Sequence, residues 1–237
     1  MATATLRSIL ETGSGQSSRG ALALVSPAAV APGAERPALA RARLHEALGP
    51  ARRSFALLAM GAAQEAGPGP VIWIRPTWQA ERLNPEGMVR WCAPGRVIFV
   101  DARRPDDMLW TLEEVLRSGA VGLAVADMPG RIGLTAVRRL HLAAEAGAGQ
   151  GHGHVPLGLV LTPEPAEGSP GVESRWQMVA RHAGGPSRWR LARLRARRDP
   201  PRAWTLTRDR QRLRLAPAEA PDQGLDRPAK EDLGPCP

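Results

Sequence analysis

The sequence predicts an α/β fold: a parallel sheet flanked by helices, with a C-terminal antiparallel β-meander. Three observations carry this. Short apolar runs that end on a polar residue, "VIWIR" (71–75), "VIFVD" (97–101), "GLAVAD" (122–127) and "LGLVLT" (157–162), read as strands buried on both faces. They alternate with amphipathic stretches of helical length, the pattern of βαβ units. From Arg188 the texture changes to "RWRLARLRAR", "AWTLT" and "RLRLA", separated by "RDPPR" and "RDRQ", which reads as three short antiparallel strands.

Taken in order, residues 1–37 are rich in Ala, Gly, Ser and Pro without a sustained period, and predict a disordered tail. In "ERPALARARLHEALGP" (35–50), Pro37 suits a first helical turn. Ala40, Leu44, Ala47 and Leu48 share one face and Gly49-Pro50 supplies a stop, so a helix is predicted here. "SFALLAMGAAQEAG" (54–67) predicts a buried helix. After the first two strands, "RPDDMLWTLEEVLRSG" (104–119) predicts a helix with acidic residues in its first turn and Gly119 as its stop. "GLTAVRRLHLAAEAG" (133–147) predicts another, with Leu134, Val137, Leu140 and Ala144 inward. In the meander, alternation slips near Ala192-Arg193, which predicts a bulge. The domain is thus expected over 38–216, with the meander at 188–216 and an acidic, Pro-rich, disordered tail at 217–237. Ligands of parallel α/β sheets sit at the carboxyl ends of the strands, here Arg75, Asp101, Asp127 and Thr162.

At 237 residues, with 43% hydrophobic residues, the chain suffices for one core. The 25 Gly and 23 Pro argue that part of it lies outside that core. Two cysteines, Cys92 and Cys236, make neither a disulfide framework nor a zinc site, so a reducing cytoplasm is expected. No stretch approaches the roughly 20 apolar residues of a membrane span. "ALALVSPAAVAPGA" (21–34) imitates a secretory segment but is interrupted at Ser26-Pro27. His152 and His154 lack a third ligand of matching type, so no metal is expected. Cys92 has no nearby His that would make it a nucleophile. His45, His141 and His182 are expected on helix surfaces or as satisfied core groups.

The net charge of +9 is local: residues 175–215 hold 13 arginines against Asp199 and Asp209, whereas 217–237 is acidic. One reading of the basic segment is a solvated edge sheet guarded against aggregation. The favoured reading is a surface for an acidic partner, either single-stranded DNA or an acidic protein surface, made by Arg188, Arg190, Arg193, Arg195, Arg197, Arg198, Arg212 and Arg214. Trp189 and Trp204 would stack on bases in that reading, although alternation favours them as core. The acidic tail could fold back on the basic segment and compete with nucleic acid.

The order of blocks from residue 49 onward is similar to a known pattern. "EVLRSGAVGLAVADM" (114–128) resembles the helix, turn and strand that carry the Walker B aspartate of the RecA family, and "GPARRSFALL" (49–58) stands where that family has its phosphate loop. Together with "RARLHEAL", "RVIFVDARRPDDMLWTLEEVLRSGAVGLAVADMPG", "LTAVRRLHLAAE" and the Trp-Arg-rich end, the pattern over 38–216 resembles the ImuA family, RecA-like accessory proteins of translesion mutagenesis. The resemblance implies a RecA-like sheet and a DNA-damage-inducible role in error-prone synthesis. Its implied partners are an ImuB-like polymerase homologue, an error-prone DNA polymerase and RecA, in the nucleoid.

The departures matter as much. A phosphate loop needs glycines, a Lys and a Ser or Thr hydroxyl. Here Phe55 and Ala56 stand where Lys and Thr belong, and Thr77 stands where RecA-like ATPases place a glutamate. Gly49, Ser54 and Asp127 therefore read as a degenerate remnant, with no catalytic residues and no cofactor expected. The rival readings are a DNA-stimulated ATPase using an irregular phosphate site at 49–54 and a plain single-stranded-DNA-binding module. SulA-like inhibition of cell division is a further possibility, with no residue arguing for it.

Overall fold

The order of strands in the sheet follows from where the apolar runs fall. The computed structural model describes residues 20–150, 152–163, 168–183, 185–210 and 212–218. Its elements are β1 (Ala21–Ala23), β2 (Ala38–Ala40), β3 (Leu44–Leu48), α1 (Arg52–Ala66), β4 (Val71–Pro76) and the single turn α2 (Pro85–Met88). They continue with β5 (Val97–Ala102), α3 (Pro105–Ser118), β6 (Ala124–Asp127), α4 (Leu134–Ala148) and β7 (Gly158–Leu161). The chain then runs through β8 (Ser174–Ala180), β9 (Ser187–Ala196), β10 (Arg202–Asp209) and β11 (Arg212–Pro217). Nine strands form one sheet in the order β11-β10-β9-β8-β3-β7-β6-β4-β5. From β8 to β5 the neighbours are parallel, and from β8 to β11 they are antiparallel. This is the α/β class expected, with the antiparallel extension at the expected end. Among the described residues, no helix is long and apolar enough to cross a membrane.

Helix α3 shows how local signals set boundaries. Pro105 opens it, Asp106 and Asp107 lie in its first turn, and Gly119 closes it in the left-handed region at φ 63°. A side chain at Gly119 would also stand 2.3 Å from the carbonyl oxygen of Gly147, so only glycine fits between α3 and the end of α4. In α4, Val137, Leu140 and Ala144 face inward as expected, but Leu134 is exposed because it is the first helical residue and precedes the contact face.

Three expectations are corrected. Residues 38–48 are not a helix but β2 and β3, even though Ala, Leu and Arg favour helix. β3 is buried throughout and sits between β7 and β8, so pairing on both edges overrides the local preference. Residues 20–37 are not tail: β1 pairs with β2, and Leu22, Leu24 and Val25 are buried in the same cluster as α1. Val30 bridges to Leu215 on the sheet edge, and Glu35 is ion-paired to Arg193 and Arg202. That segment is held by distant partners, which a low-complexity composition does not reveal. At the other end Pro217 belongs to β11 and the amide of Ala218 donates to the Ala203 carbonyl; the remaining tail residues, 1–19 and 219–237, lie outside the described residues.

Two apolar layers enclose the sheet. On one face α1 and the N-terminal segment bury an aromatic column, with Phe55 5.7 Å from Trp176 and Trp176 stacked 5.8 Å from Trp204. On the other, α3 and α4 cover the strands from β3 to β5. Between the layers lies a wholly buried carboxylate. Glu46 of β3 accepts hydrogen bonds from Thr162 Oγ1, from the amide and hydroxyl of Ser169, and from Arg175 Nε at 2.7 Å. Gly168, at φ 71°, is required where the Arg175 guanidinium crosses, since a side chain there would stand 2.0 Å from it.

His45, also buried, faces the opposite way. Its Nε2 lies 2.8 Å from the Ala40 carbonyl, so it carries the proton, and Nδ1 accepts from Ser174 Oγ at 2.6 Å. Trp176 Nε1 donates in turn to Ser174 Oγ. Burial, the largest influence, pushes the imidazole down to about 4.

Replacing Glu46 by Ala should cost about 3–5 kcal/mol, because Arg175 is left as an uncompensated cation; urea unfolding measures this. The His45 shift gives a pH dependence of known sign. Below its ordinary value near 6.5 the unfolded chain takes up a proton that the folded chain refuses, so stability falls as pH drops from 6.5 to 4. The loss should approach about 3 kcal/mol. His141, lowered chiefly by burial, adds to it in the same sense. Urea midpoints across this range should depend less on pH in His45→Gln, and an equal dependence would remove His45 as the cause.

Candidate functional site

Two places gather the residues singled out by the sequence. The first is the crevice at the carboxyl ends of the strands. β3 ends at Leu48 and α1 begins at Arg52, so only Gly49, Pro50 and Ala51 connect them. A phosphate cradle needs a longer glycine-rich loop whose amides point at the ligand. Here the Ala51 amide donates to the Met178 carbonyl and the Arg52 amide to the Gly49 carbonyl. Gly49 itself turns the chain at φ 98°. Phe55 and Ala56 are fully buried, Phe55 against Trp176, while Ser54 is half-buried in the first turn of α1. Thr77 is exposed beyond β4, where its amide donates to the Ala102 carbonyl.

Asp127, at the end of β6, is 3% exposed and does not face an open crevice. Arg53 Nε donates to its Oδ2 at 2.7 Å, and Arg52 Nε lies 3.9 Å from Oδ1. Arg53 continues to Glu81 at 2.5 Å, so one guanidinium spans two carboxylates. Burial works against the charge of Arg53, but Asp127 and Glu81 more than offset it and hold the guanidinium above its ordinary range. Of the other strand ends, Arg75 pairs with Asp101 across β4 and β5 at 2.6 Å, and Thr162 is bound to Glu46. The four residues are thus brought to one end of the sheet but are tied to protein partners.

The second place is the antiparallel extension. Strand β8, "SRWQMVA", was not anticipated from sequence; it joins the parallel body to the meander. Pairing register assigns each arginine to a face. Trp176, Leu191, Trp204, Leu206 and Leu215 point toward α1, as do Trp189 and Arg193. Arg188, Arg190, Thr205, Thr207 and Arg214 point the other way, in register with one another. Arg195 joins that second face because the register shifts between Arg175 and Trp176, leaving Leu194 as the extra residue of a bulge next to the expected slip.

Arg193 is therefore corrected. It is 3% exposed, paired to Glu35 at 2.7 Å, and lies 5.8 and 5.6 Å from the Trp176 and Trp204 rings, so it is part of the core and not of a partner surface. Arg208, also buried on that face, stands 3.6 Å over the Trp91 ring, and burial pushes it down to about 10. Arg197 reaches Glu173 and the Gly171 carbonyl. Arg198 is exposed in the turn after β9, and Arg212 stands opposite Asp209. Trp189 and Trp204 are buried, as alternation favours. By contrast Trp78 and Trp110 are exposed. Cys92 is buried, and burial raises its thiol to about 11, the opposite of activation. His152 Nδ1 lies 2.9 Å from the Ser118 carbonyl, and no group of three metal-ligating side chains occurs among the described residues.

No family model and no curated protein matches this chain.

The Arg53–Asp127 contact should be measurable as a coupling. In a double-mutant cycle of Arg53→Ala and Asp127→Asn, unfolding should show an interaction of about 1–3 kcal/mol, and additive single effects would mean the pair contributes nothing.

Proposed function

We propose that this chain is a non-catalytic, RecA-like accessory protein of the ImuA type. It would act in damage-induced, error-prone translesion synthesis beside an ImuB-like polymerase homologue and an error-prone DNA polymerase, near RecA, in the cytoplasm at the nucleoid. The order of sequence blocks supports the family reading, and the α/β sheet with helices on both faces is compatible with it. The observation that carries the non-catalytic reading is Arg53 on Asp127. In the RecA-like reading, Asp127 is the Walker B position and the first turn of α1 is the phosphate position. In that reading, a guanidinium reaching from that turn to that carboxylate would withdraw it as a ligand from magnesium, which supports a body without phosphoryl-transfer chemistry. The three-residue link before α1 leaves no cradle of amides for the outer phosphates. What remains is a body able to present surfaces: the sheet extension with its arginines, and Trp110 exposed on α3 as an anchor for a protein partner.

The test is ATP turnover by the purified protein with magnesium, with and without single-stranded DNA. No turnover and no nucleotide-dependent rise in Tm are expected. Turnover lost in Asp127→Ala would overturn the reading and favour the ATPase alternative. Co-expression with an ImuB-type polymerase homologue should yield a complex, and Trp110→Ala should weaken its capture at least tenfold, the scale of about 1.4 kcal/mol or more expected of a hot spot.

A further inference from the structure

The outer face of β8 to β11 differs from every other face of the sheet. The α1 layer closes one side of the extension, but α3 and α4 stop at β3, so its other side is uncovered. In register across it run Arg188, Thr207 and Arg214, and beside them Val179, Arg190, Thr205 and Ala216. Arg188 and Arg190 are two residues apart on β9, about 6.6 Å by strand rise. Among the described residues, none of Arg188, Arg190, Arg195 or Arg214 has a carboxylate partner, whereas the neighbouring pair on the inner face, Arg193 and Arg202, shares Glu35. On the inner face Arg193 and Arg202 have a carboxylate and Arg208 lies against the Trp91 ring, and Arg175 is drawn to Glu46, whereas these four outer guanidiniums have no such partner among the described residues. Like charges gathered on one face repel one another, and an anion lying over them would relieve that repulsion.

Two kinds of polyanion could lie there, and the composition of the face separates them. A protein interface needs a desolvated apolar or aromatic anchor at its centre. This face offers mainly Thr, Ala and Arg, with Gln177, Asp209 and the half-buried Val179 and with Leu194 exposed at the bulge, but no aromatic anchor, since the indoles of the extension, Trp176, Trp189 and Trp204, all point inward and are buried. The same fact removes any stacking platform for unpaired bases. A nucleic-acid backbone asks only for cations and hydroxyl donors, and a duplex presents the denser phosphate charge.

We infer that the outer face of the β8–β11 extension binds the sugar-phosphate backbone of duplex DNA without reading or stacking on its bases. The inference deepens the accessory reading, and corrects the stacking of Trp189 and Trp204 on single strands, but it draws on this face alone. Fluorescein-labelled 24-base-pair duplexes and 24-nucleotide single strands of unrelated sequence, followed by anisotropy, test it. Duplexes of different sequence should bind within about threefold of one another and at least as tightly as single strands, with a log-log salt slope of about −3 to −4 for four phosphate contacts. Arg188→Gln/Arg190→Gln/Arg214→Gln should lose at least tenfold affinity and about 2.7 of that slope, with an unchanged urea midpoint. Tryptophan emission should not change on binding. Preference for single strands with indole quenching would overturn the inference, as would unaltered duplex affinity in the triple variant. If that variant instead loses the polymerase partner while duplex affinity holds, the face is a protein surface and the inference fails while the accessory reading stands. Intact duplex binding by wild type with no polymerase complex refutes the accessory reading alone.

Discussion

The sheet hinges on one buried carboxylate. Glu46 lies on the central strand β3, and each group that satisfies it belongs to a different part of the chain: Thr162 after β7, Ser169 in the loop beyond it, Arg175 on β8. Ser169 also accepts the amide of Ile132, so the turn leading to α4 is tied to the same centre. A carboxylate in such a place is tolerable only when every lone pair is used, and meeting that demand fixes Ser169, the register of β8 on β3, and so the start of the antiparallel extension. Arg175 is held toward Glu46 and is drawn out of the outer basic face. The number of free cations on that face is therefore set partly by the core.

How much of this was legible depended on whether the deciding partner was near in sequence. Helix α3 carried its own opening proline, first-turn acids and closing glycine, and it falls where those signals put it. The strands β4, β6 and β7 were legible because burial on both faces leaves an uninterrupted apolar run, whereas β5, expected to be buried in the same way, is the edge strand and exposes Ile98 and Phe99. β3 was not. Its Ala, Leu and Arg fit a helical stripe, and the reason it is a strand lies more than a hundred residues away in β7 and β8. The segment 20–37 was misread for the same reason, since Glu35 finds Arg193 and Arg202 across the fold. For the crevice, sequence placed Asp127 at the end of a strand and Gly49 just before a helix, where the structure has them. It could not show that Arg53 would be the group lying on Asp127.

The cations of the described chain are all arginine, and three of them would be poorly served by lysine. Arg193 lies against two stacked indoles while reaching Glu35, Arg175 threads past Gly168 to Glu46, and Arg53 spans Asp127 and Glu81. Each uses a planar, multi-donor fork on a desolvated stem, which an ammonium does not provide. The high arginine count is thus partly structural, and counting charge along residues 175–215 overstates the surface that a partner meets.

The bulge at Leu194 shows how finely that surface is set. Along β9 the inward residues are Trp189, Leu191 and Arg193, and strict alternation would turn Arg195 inward as well. One extra residue reverses the phase, so Arg195 falls opposite Arg175 on the outer face while Arg193 stays among the tryptophans. Two arginines two residues apart, alike in sequence context, thereby take opposite roles: one compensated by Glu35 inside, the other uncompensated outside. Removing the bulge would bring a second guanidinium toward the Trp176–Trp204 stack, where Glu35 already serves Arg193 and Arg202. The cost of that unpaired charge is what holds the register, and so the same irregularity that completes the core also completes the basic face.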